Sequence, residues 1–173
     1  VGLSLKDRDI DALFSSPLKR AFETAHMLAK GRNLEIVSEE GFIDINFGLW
    51  QGISHQKVKE DFKDLYARWK NEPHIVTFPE GESLGDVKIR SQKALDTIVK
   101  NNPGRTVAIV SHRVVNKVLL CTVLGFDLSY FWNIRQDTCA VNDFEYKEGS
   151  YHLTLLNHTC HLKEVQGAST VDF

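Results

Sequence analysis

A nearly unbroken apolar run, residues 106–110, constrains the fold of this chain more than any other segment. It reads Thr-Val-Ala-Ile-Val, and such β-branched runs are typical of a parallel strand that is buried on both faces. Ser111 and His112 follow it, and a helical pattern then runs from about Val114 to Leu124. A buried strand that leads directly into a helix predicts an α/β fold, in which helices cover both faces of a sheet.

Strands alternate with helices along the rest of the chain. The predicted strands are residues 10–14, 34–37, 138–146 and 151–156, of which the last two form a hairpin. The predicted helices are residues 17–30, 54–72 and 83–101. Ser16 is the predicted N-cap of the first helix, with Pro17 as its first residue, and Ser83 with Asp86 forms an acidic capping box. We therefore predict a three-layer α/β/α sandwich with a mostly parallel central sheet.

One domain spanning residues 1–173 is expected, because this length is sufficient for a single buried core. The chain has 21 basic and 23 acidic side chains and no run of like charge, which argues against nucleic acid or an anionic membrane as a partner. The three cysteines are widely spaced and lack a CxxC pattern, which favours a reducing compartment, so we expect a cytoplasmic location. The tail after Lys163 is small and polar and is expected to fray.

Two strand-to-helix junctions carry side chains that could bind an anion. Arg20 lies in the first turn of the first helix, where a guanidinium beside a helix N-terminus suits bidentate binding of phosphate. His112 directly follows the buried strand and could donate a proton or bind a phosphate oxygen, and Arg113 adds a second cation. The alternatives are a surface arginine without a role, a histidine satisfied beneath a loop, and a solvated charge.

A loop rich in glycine and aromatic residues, residues 42–52, separates these junctions along the chain. Asp44 is the carboxylate inside it and is the candidate general acid, with capping of the loop as the alternative. Asn46, Glu82 and Ser83 are assigned to the substrate cleft, although helix capping also explains the last two. Phe47, Trp50, Tyr66 and Trp69 could wall that cleft, although the spacing of Trp69 favours the core.

One cluster resembles a metal site, the segment His158-Thr159-Cys160-His161. A metal ion needs three or four ligands with matched spacing, and the sequence has no second cluster to complete the set. We therefore predict no metal and no cofactor.

Five segments, taken in order, resemble the histidine phosphatase superfamily, which is also called phosphoglycerate mutase-like. They are residues 15–25 (SSPLKRAFETA), 44–52 (DINFGLWQG), 79–83 (PEGES), 110–112 (VSH) and 156–162 (LNHTCHL). The compact segment 79–83 is most similar to that of the broad-specificity and α-ribazole-type phosphatases. The resemblance also makes residues 53–80 a helical, lid-like insertion.

The resemblance implies a phosphomonoester hydrolase without a metal or another cofactor. In this family a histidine of an Arg-His-Gly motif attacks the phosphoryl group, and water then hydrolyses the phosphohistidine. Arg20 matches a phosphate-binding arginine, His112 the second histidine, and Asp44 the general acid and base. The implied partner is a small phosphorylated substrate, and the protein is expected to be a monomer or a homodimer.

Three positions differ from the family pattern. The sequence begins at Val1 without an Arg-His-Gly segment, so we expect the first strand and its nucleophilic histidine upstream of Val1. Asp44 stands where glutamate is usual, and Arg113 stands where glycine is usual. These differences keep two alternatives open, a catalytically impaired relative that binds phosphorylated ligands or a protein partner, and a cofactor-dependent phosphoglycerate mutase.

Overall fold

Three parallel strands form the centre of the computed structural model, which describes residues 5–162. Strand β1 (Ala12–Ser15) lies between β2 (Ile36–Ser38) and β3 (Val107–Val110) and is parallel to both. Ser15 pairs with Val110, so the carboxyl ends of β1 and β3 lie side by side. This arrangement confirms the predicted parallel sheet and brings the two strand-to-helix junctions together.

Five α-helices are present in the described part of the chain. They are α1 (Lys19–Ala29), α2 (His55–Asp61), α3 (Lys63–Asn71), α4 (Leu84–Asn101) and α5 (Arg113–Val123). Short 3₁₀ turns lie at Glu40–Phe42, Gly48–Trp50, Pro73–Ile75, Leu128–Asn133 and Cys160–Leu162.

Two helix predictions need correction. Helix α1 begins at Lys19 with Leu18 as its N-cap, because the Ser16 hydroxyl is buried against His112 at the centre of the molecule. The single helix predicted over residues 54–72 is divided at Phe62, whose backbone leaves the helical region with φ −125° and ψ 39°. The Phe62 ring packs there against Trp50, with the ring centres 6.1 Å apart.

Side chains of β3 alternate between the two faces of the sheet, as a doubly covered strand requires. Ala108 and Val110 pack with Leu13 in a cluster that also contains α1 residues. Val107 and Ile109 pack on the opposite face in the main core, to which α4 and α5 contribute. The three-layer prediction is therefore confirmed.

A hairpin stands apart from the parallel sheet. Its strands β4 (Val141–Lys147) and β5 (Ser150–His158) pair antiparallel with each other, and β3 forms one edge of the three-stranded sheet. A cavity of about 1160 Å³ is lined by β3 on one side and β4 on the other. None of the helices within residues 5–162 is long and apolar enough to cross a membrane, and the tail after Lys163 lies outside the described residues.

Two glycines allow loop 42–52 to pack tightly against residues 79–82. Gly48 has φ +53°, and a Cβ there would lie 1.9 Å from the Pro79 carbonyl oxygen. A Cβ on Gly81 would lie 2.3 Å from the Asn46 carbonyl oxygen. The backbones approach too closely for any side chain at either position. This packing determines where the loop carrying Asp44 sits.

Gly48→Ala should therefore destabilise the protein much more than Gly52→Ala. Gly52 also has a positive φ, +76°, but a Cβ there meets no atom within 4 Å. We expect a loss of about 1 kcal/mol from the backbone strain in Gly52→Ala, and at least about 2 kcal/mol more in Gly48→Ala from the clash. Urea unfolding of the two variants measures the difference, and equal losses would show that the close approach is unimportant.

Candidate active site

Arg20 projects from the first turn of α1 at the carboxyl end of β1. Its side chain is 61% exposed and lines the central cavity. The guanidinium Nη2 donates to Asp44 Oδ2 at 2.5 Å. Arg20 is therefore held toward the candidate acid rather than extended into solvent.

Asp44 lies between the two junctions that the sequence singled out. Its Oδ2, besides accepting from Arg20, is 3.5 Å from His112 Nδ1. Its Oδ1 accepts from the Ile45 amide at 3.0 Å. The carboxylate is thus oriented by its own loop and faces a cation on one side and an imidazole on the other.

His112 is the N-cap of α5 and its side chain is only 4% exposed. Its Nε2 is 2.8 Å from Ser16 Oγ, which also accepts from the Leu18 amide at 3.3 Å. The Asp44 carboxylate on the Nδ1 side favours a proton on that nitrogen, and the Ser16 hydroxyl can then donate its own proton to Nε2. The backbone joins the same two junctions, since the Ser16 amide donates to the Val110 carbonyl at 2.9 Å.

Burial lowers the pKa of His112 to about 4, which Asp44 opposes and which Arg20 and Arg90 reinforce. The imidazole is therefore neutral near pH 7 when no anion is bound. A bound dianion beside Nδ1 would favour the protonated form. Anion binding and proton uptake at His112 should therefore be coupled.

Arg113, the first residue of α5, also lines the cavity. Burial lowers the pKa of its guanidinium, and the charges of Asp137 and Asp44 oppose that shift. Arginine remains protonated at any physiological pH. The structure thus brings the four candidates for phosphate binding and catalysis, Arg20, Asp44, His112 and Arg113, to the lining of one cavity.

Arg90 of α4 organises the loop that carries Asp44, although the sequence analysis did not select it. Its Nη1 donates to the carbonyls of Gly41 and Ile43 at 2.9 and 2.7 Å, and its Nη2 donates to the Asp44 carbonyl at 3.3 Å. The same guanidinium forms a salt bridge with Glu82, with Nε 2.8 Å from Oε1. A charged residue within the apolar stripe of α4 was the signal that could have identified it.

The residues assigned to the substrate cleft serve mainly to join loops. The Glu82 carboxylate accepts from the Asn46 amide at 2.9 Å as well as from Arg90. The Asn46 Oδ1 accepts from the Gly48 amide at 2.9 Å. Ser83 caps α4 in a capping box with Asp86. Helix capping was the alternative to a cleft role that the sequence analysis gave for this residue. These three residues are absent from the described lining of the central cavity, so their place in a cleft stays a prediction.

In the segment 158–161, the two histidines contact each other and the loop before β4. The rings of His158 and His161 are 6.2 Å apart, and His161 Nε2 contacts the Cys139 carbonyl at 3.1 Å. Among residues 5–162, no three His, Cys, Asp or Glu side chains lie together in a group that could hold a metal ion.

Aromatic rings wall the cavity beyond the charged cluster. Of the four aromatic candidates, Phe47 and Trp69 line it, and Trp69 is also almost completely buried in the core. Phe131 and Trp132, from the 3₁₀ turn after α5, complete this wall and were not selected from the sequence. Within the described chain, the lining therefore has a polar end, with Arg20, Asp44, His112 and Arg113, and an aromatic end.

Comparison with known protein families identifies one match over most of the chain. A family model described as the histidine phosphatase superfamily (branch 1) matches residues 1–159. Phosphoserine phosphatase 1 from Hydrogenobacter thermophilus is 38% identical over 160 residues, which cover 92% of this chain and 76% of that protein.

Solved structures share the fold. YhfR from Bacillus stearothermophilus superposes with a TM-score of 0.90 at 28% identity, over 94% of this chain and 81% of that one. The α-ribazole phosphatase from Shigella flexneri has a TM-score of 0.81 over 91% of this chain and 78% of its own, and at 22% identity it shows the fold alone.

The proton coupling at His112 predicts that sulfate binds more tightly as the pH falls from 7.5 to 5. Sulfate stays a dianion over this range, so the change arises from the protein. The affinity should rise by up to about tenfold per pH unit for each proton taken up. Titration calorimetry in two buffers of different ionisation enthalpy measures the protons directly.

Matched variants separate the groups that could take up this proton. His112→Gln keeps an amide donor but does not titrate, so it should lose one proton of uptake. Asp44→Asn removes the neighbouring carboxylate and should keep the uptake at His112. Unchanged proton uptake in His112→Gln would contradict the assignment.

Proposed function

The chain belongs to the histidine phosphatase superfamily, and we propose that it is a phosphomonoester hydrolase that forms a phosphohistidine intermediate on a small organic phosphate. The Hydrogenobacter relative described above is also a phosphatase by name. Hydrolysis of phosphomonoesters is therefore the activity that the comparisons support, and they do not favour the impaired relative or the mutase.

The observation that carries this proposal is the convergence of a cation, an acid and a histidine. Arg20 Nη2 and His112 Nδ1 lie 2.5 and 3.5 Å from the same oxygen of Asp44. A phosphate group entering the cavity finds N–H donors at the place where its equatorial oxygens gather charge during transfer. Without a bound phosphate, both donors face the Asp44 carboxylate instead.

We assign the nucleophile to the Arg-His-Gly segment that the family resemblance implies upstream of Val1. The cavity between β3 and β4 supports this assignment, because it offers a strand the open edge of β3. A strand parallel to β3 would end at the same edge of the sheet as β1 and β3. Its histidine would then reach a phosphate held by Arg20 and His112.

The proposed reaction has two steps. The nucleophilic histidine attacks phosphorus, a P–N bond forms, and the ester P–O bond breaks while Asp44 gives its proton to the leaving oxygen. Asp44 then takes a proton from water as that water attacks phosphorus, which breaks the P–N bond and releases inorganic phosphate. Arg20, Arg113 and His112 hold the phosphoryl oxygens in both steps.

We propose that the reaction needs no metal, since the charge on the phosphoryl oxygens is matched by guanidinium and imidazole groups. The unpaired cysteines support action in the cytoplasm. Segment 53–80, which holds α2 and α3, is proposed as the lid.

Removing a phosphate ligand should reduce turnover strongly. We expect Arg20→Ala or His112→Ala in full-length protein to lower kcat for p-nitrophenyl phosphate by about 100-fold or more, as loss of a main oxyanion donor does. Lys19→Ala, which removes an exposed neighbouring cation, is the matched control and should retain activity. A rapid quench into alkaline SDS with ³²P-labelled substrate should trap phosphohistidine, which is stable in alkali and labile in acid, in the unaltered full-length protein, and its absence would refute the intermediate.

The role of Asp44 predicts a dependence on the leaving group. Asp44→Asn should lower kcat/KM for an alkyl phosphate by about 10²-fold or more, because an alkoxide needs a proton to leave. The same variant should affect p-nitrophenyl phosphate much less, since p-nitrophenolate leaves without one. Equal losses for both substrates would mean that Asp44 does not act as the acid.

A further inference from the structure

The Ser111 hydroxyl makes a hydrogen bond that has no part in the mechanism proposed above. Ser111 is the first residue after β3, and its Oγ donates to the Phe42 carbonyl at 2.8 Å, 69 positions away in the chain. Phe42 belongs to the loop that carries Asp44, and its ring is fully buried in the main core. The hydrogen bond therefore attaches the loop with the candidate acid to the carboxyl end of β3.

Side chains bind four consecutive carbonyls of this loop, those of residues 41–44, which we call the acid segment. Arg90 of α4 donates to three of them, at 2.9, 2.7 and 3.3 Å, and Ser111 donates to the fourth. The acid segment also lies directly on α4, because a Cβ on Gly41 would be 2.6 Å from the Ala94 Cβ and 2.9 Å from the Arg90 carbonyl oxygen. Two elements that are distant in sequence, α4 and the end of β3, thus fix the backbone of the acid segment.

Ser111 and His112 are neighbours in the chain and contact the acid segment in two different ways. Ser111 binds its backbone, whereas His112 faces its carboxylate, with Nδ1 3.5 Å from Asp44 Oδ2. The bound carbonyl of Phe42 lies only two residues before Asp44. The Ser111 hydrogen bond therefore fixes the backbone that carries the acid with respect to the imidazole that is proposed to bind the phosphate.

Transfer of a proton to a leaving oxygen is sensitive to such placement. A general acid must come within hydrogen-bond reach of that oxygen, and a displacement of about 1 Å can lower a rate about 100-fold. An aspartate carboxylate is joined to its backbone through a single methylene, so the reach of Asp44 depends mainly on where the acid segment lies. Phosphate binding depends instead on Arg20 and His112, which other elements carry.

We propose that Ser111 is a positioning residue for the acid Asp44, and that Arg90 has the same role on α4. This inference rests on the proposed function, because Asp44 has a proton to deliver only if a phosphate ester is the substrate. The two side chains hold the acid segment so that the Asp44 carboxylate lies beside the leaving oxygen. They act through Asp44 and leave the binding of the phosphoryl oxygens to Arg20 and His112.

The test compares two phosphate esters that differ in how much the leaving group needs a proton. In full-length protein, we expect Ser111→Ala to lower kcat/KM for glycerol 3-phosphate by at least about fivefold, because the acid is then less well placed. The same variant should change kcat/KM for p-nitrophenyl phosphate by less than about twofold, since p-nitrophenolate leaves without a proton. Arg90→Lys keeps the charge but loses the planar fork of donors, and it should show the same selectivity with a larger loss.

Matched variants separate this role from the general loss of a hydrogen bond. Thr97→Val removes a hydroxyl that donates to the Lys93 carbonyl, also at 2.8 Å, on the exposed side of α4, and it should leave kcat/KM for both esters unchanged. In the Asp44→Asn background, Ser111→Ala should cause no further loss for glycerol 3-phosphate, because both residues act through one proton transfer.

A measurement without turnover tests the attachment itself. Hydrogen exchange of peptides that span residues 40–46 should be faster in Ser111→Ala than in Thr97→Val, because only the first variant releases the acid segment. Equal exchange in the two variants would overturn the proposal.

The kinetic outcomes distinguish this inference from the proposed function. Equal losses of Ser111→Ala for both esters, or an additive loss in the double variant, would leave Ser111 with a structural role only and overturn the proposal. If the unaltered full-length protein hydrolyses neither ester, the proposed function itself fails, and the inference that rests on it fails as well.

Discussion

The guanidinium of Arg90 is the interaction on which the candidate site most depends. Residues 39–52 contain short 3₁₀ turns but no strand, so most of their carbonyls have no sheet partner. Arg90 supplies donors to three of these carbonyls while its charge is balanced by Glu82. Since a buried carbonyl left without a donor costs about 1–3 kcal/mol, this single side chain can select one loop conformation. Asp44 reaches the sheet edge because a residue on α4 holds its backbone there.

The site balances opposite charges before any ligand arrives. Arg20 pairs with the Asp44 carboxylate, Arg113 lines the same cavity, and the buried, neutral imidazole of His112 lies beside Asp44. In the function that we propose, a phosphate dianion replaces the carboxylate as the partner of these cations. Such a cluster is organised in advance for an anion, which reduces the reorganisation needed when charge moves during phosphoryl transfer.

Sequence reasoning was accurate where local pattern determines structure and weaker where tertiary partners do. The run at 106–110 and the capping box at Ser83 depend on neighbours in the chain, and both predictions are confirmed. The start of α1 was wrong because Ser16 forms its decisive hydrogen bond with a residue 96 positions away. Arg90 was missed for the same reason, since the sequence shows a charge in an apolar stripe but not the carbonyls that surround it.

The pairing of β1 with β3 means that the site forms only when these two strands align in the correct register. Ser16 and His112 each follow the last residue pair of this ladder by one or two positions, and their hydrogen bond exists only in this register. A slip by one residue would move the two groups about 3.3 Å apart along the strands and turn alternate side chains to the wrong face. A misregistered chain could keep its helices and much of its core and still lack the site. Activity would thus report the fraction of molecules with correctly aligned strands, a defect that circular dichroism alone would overlook.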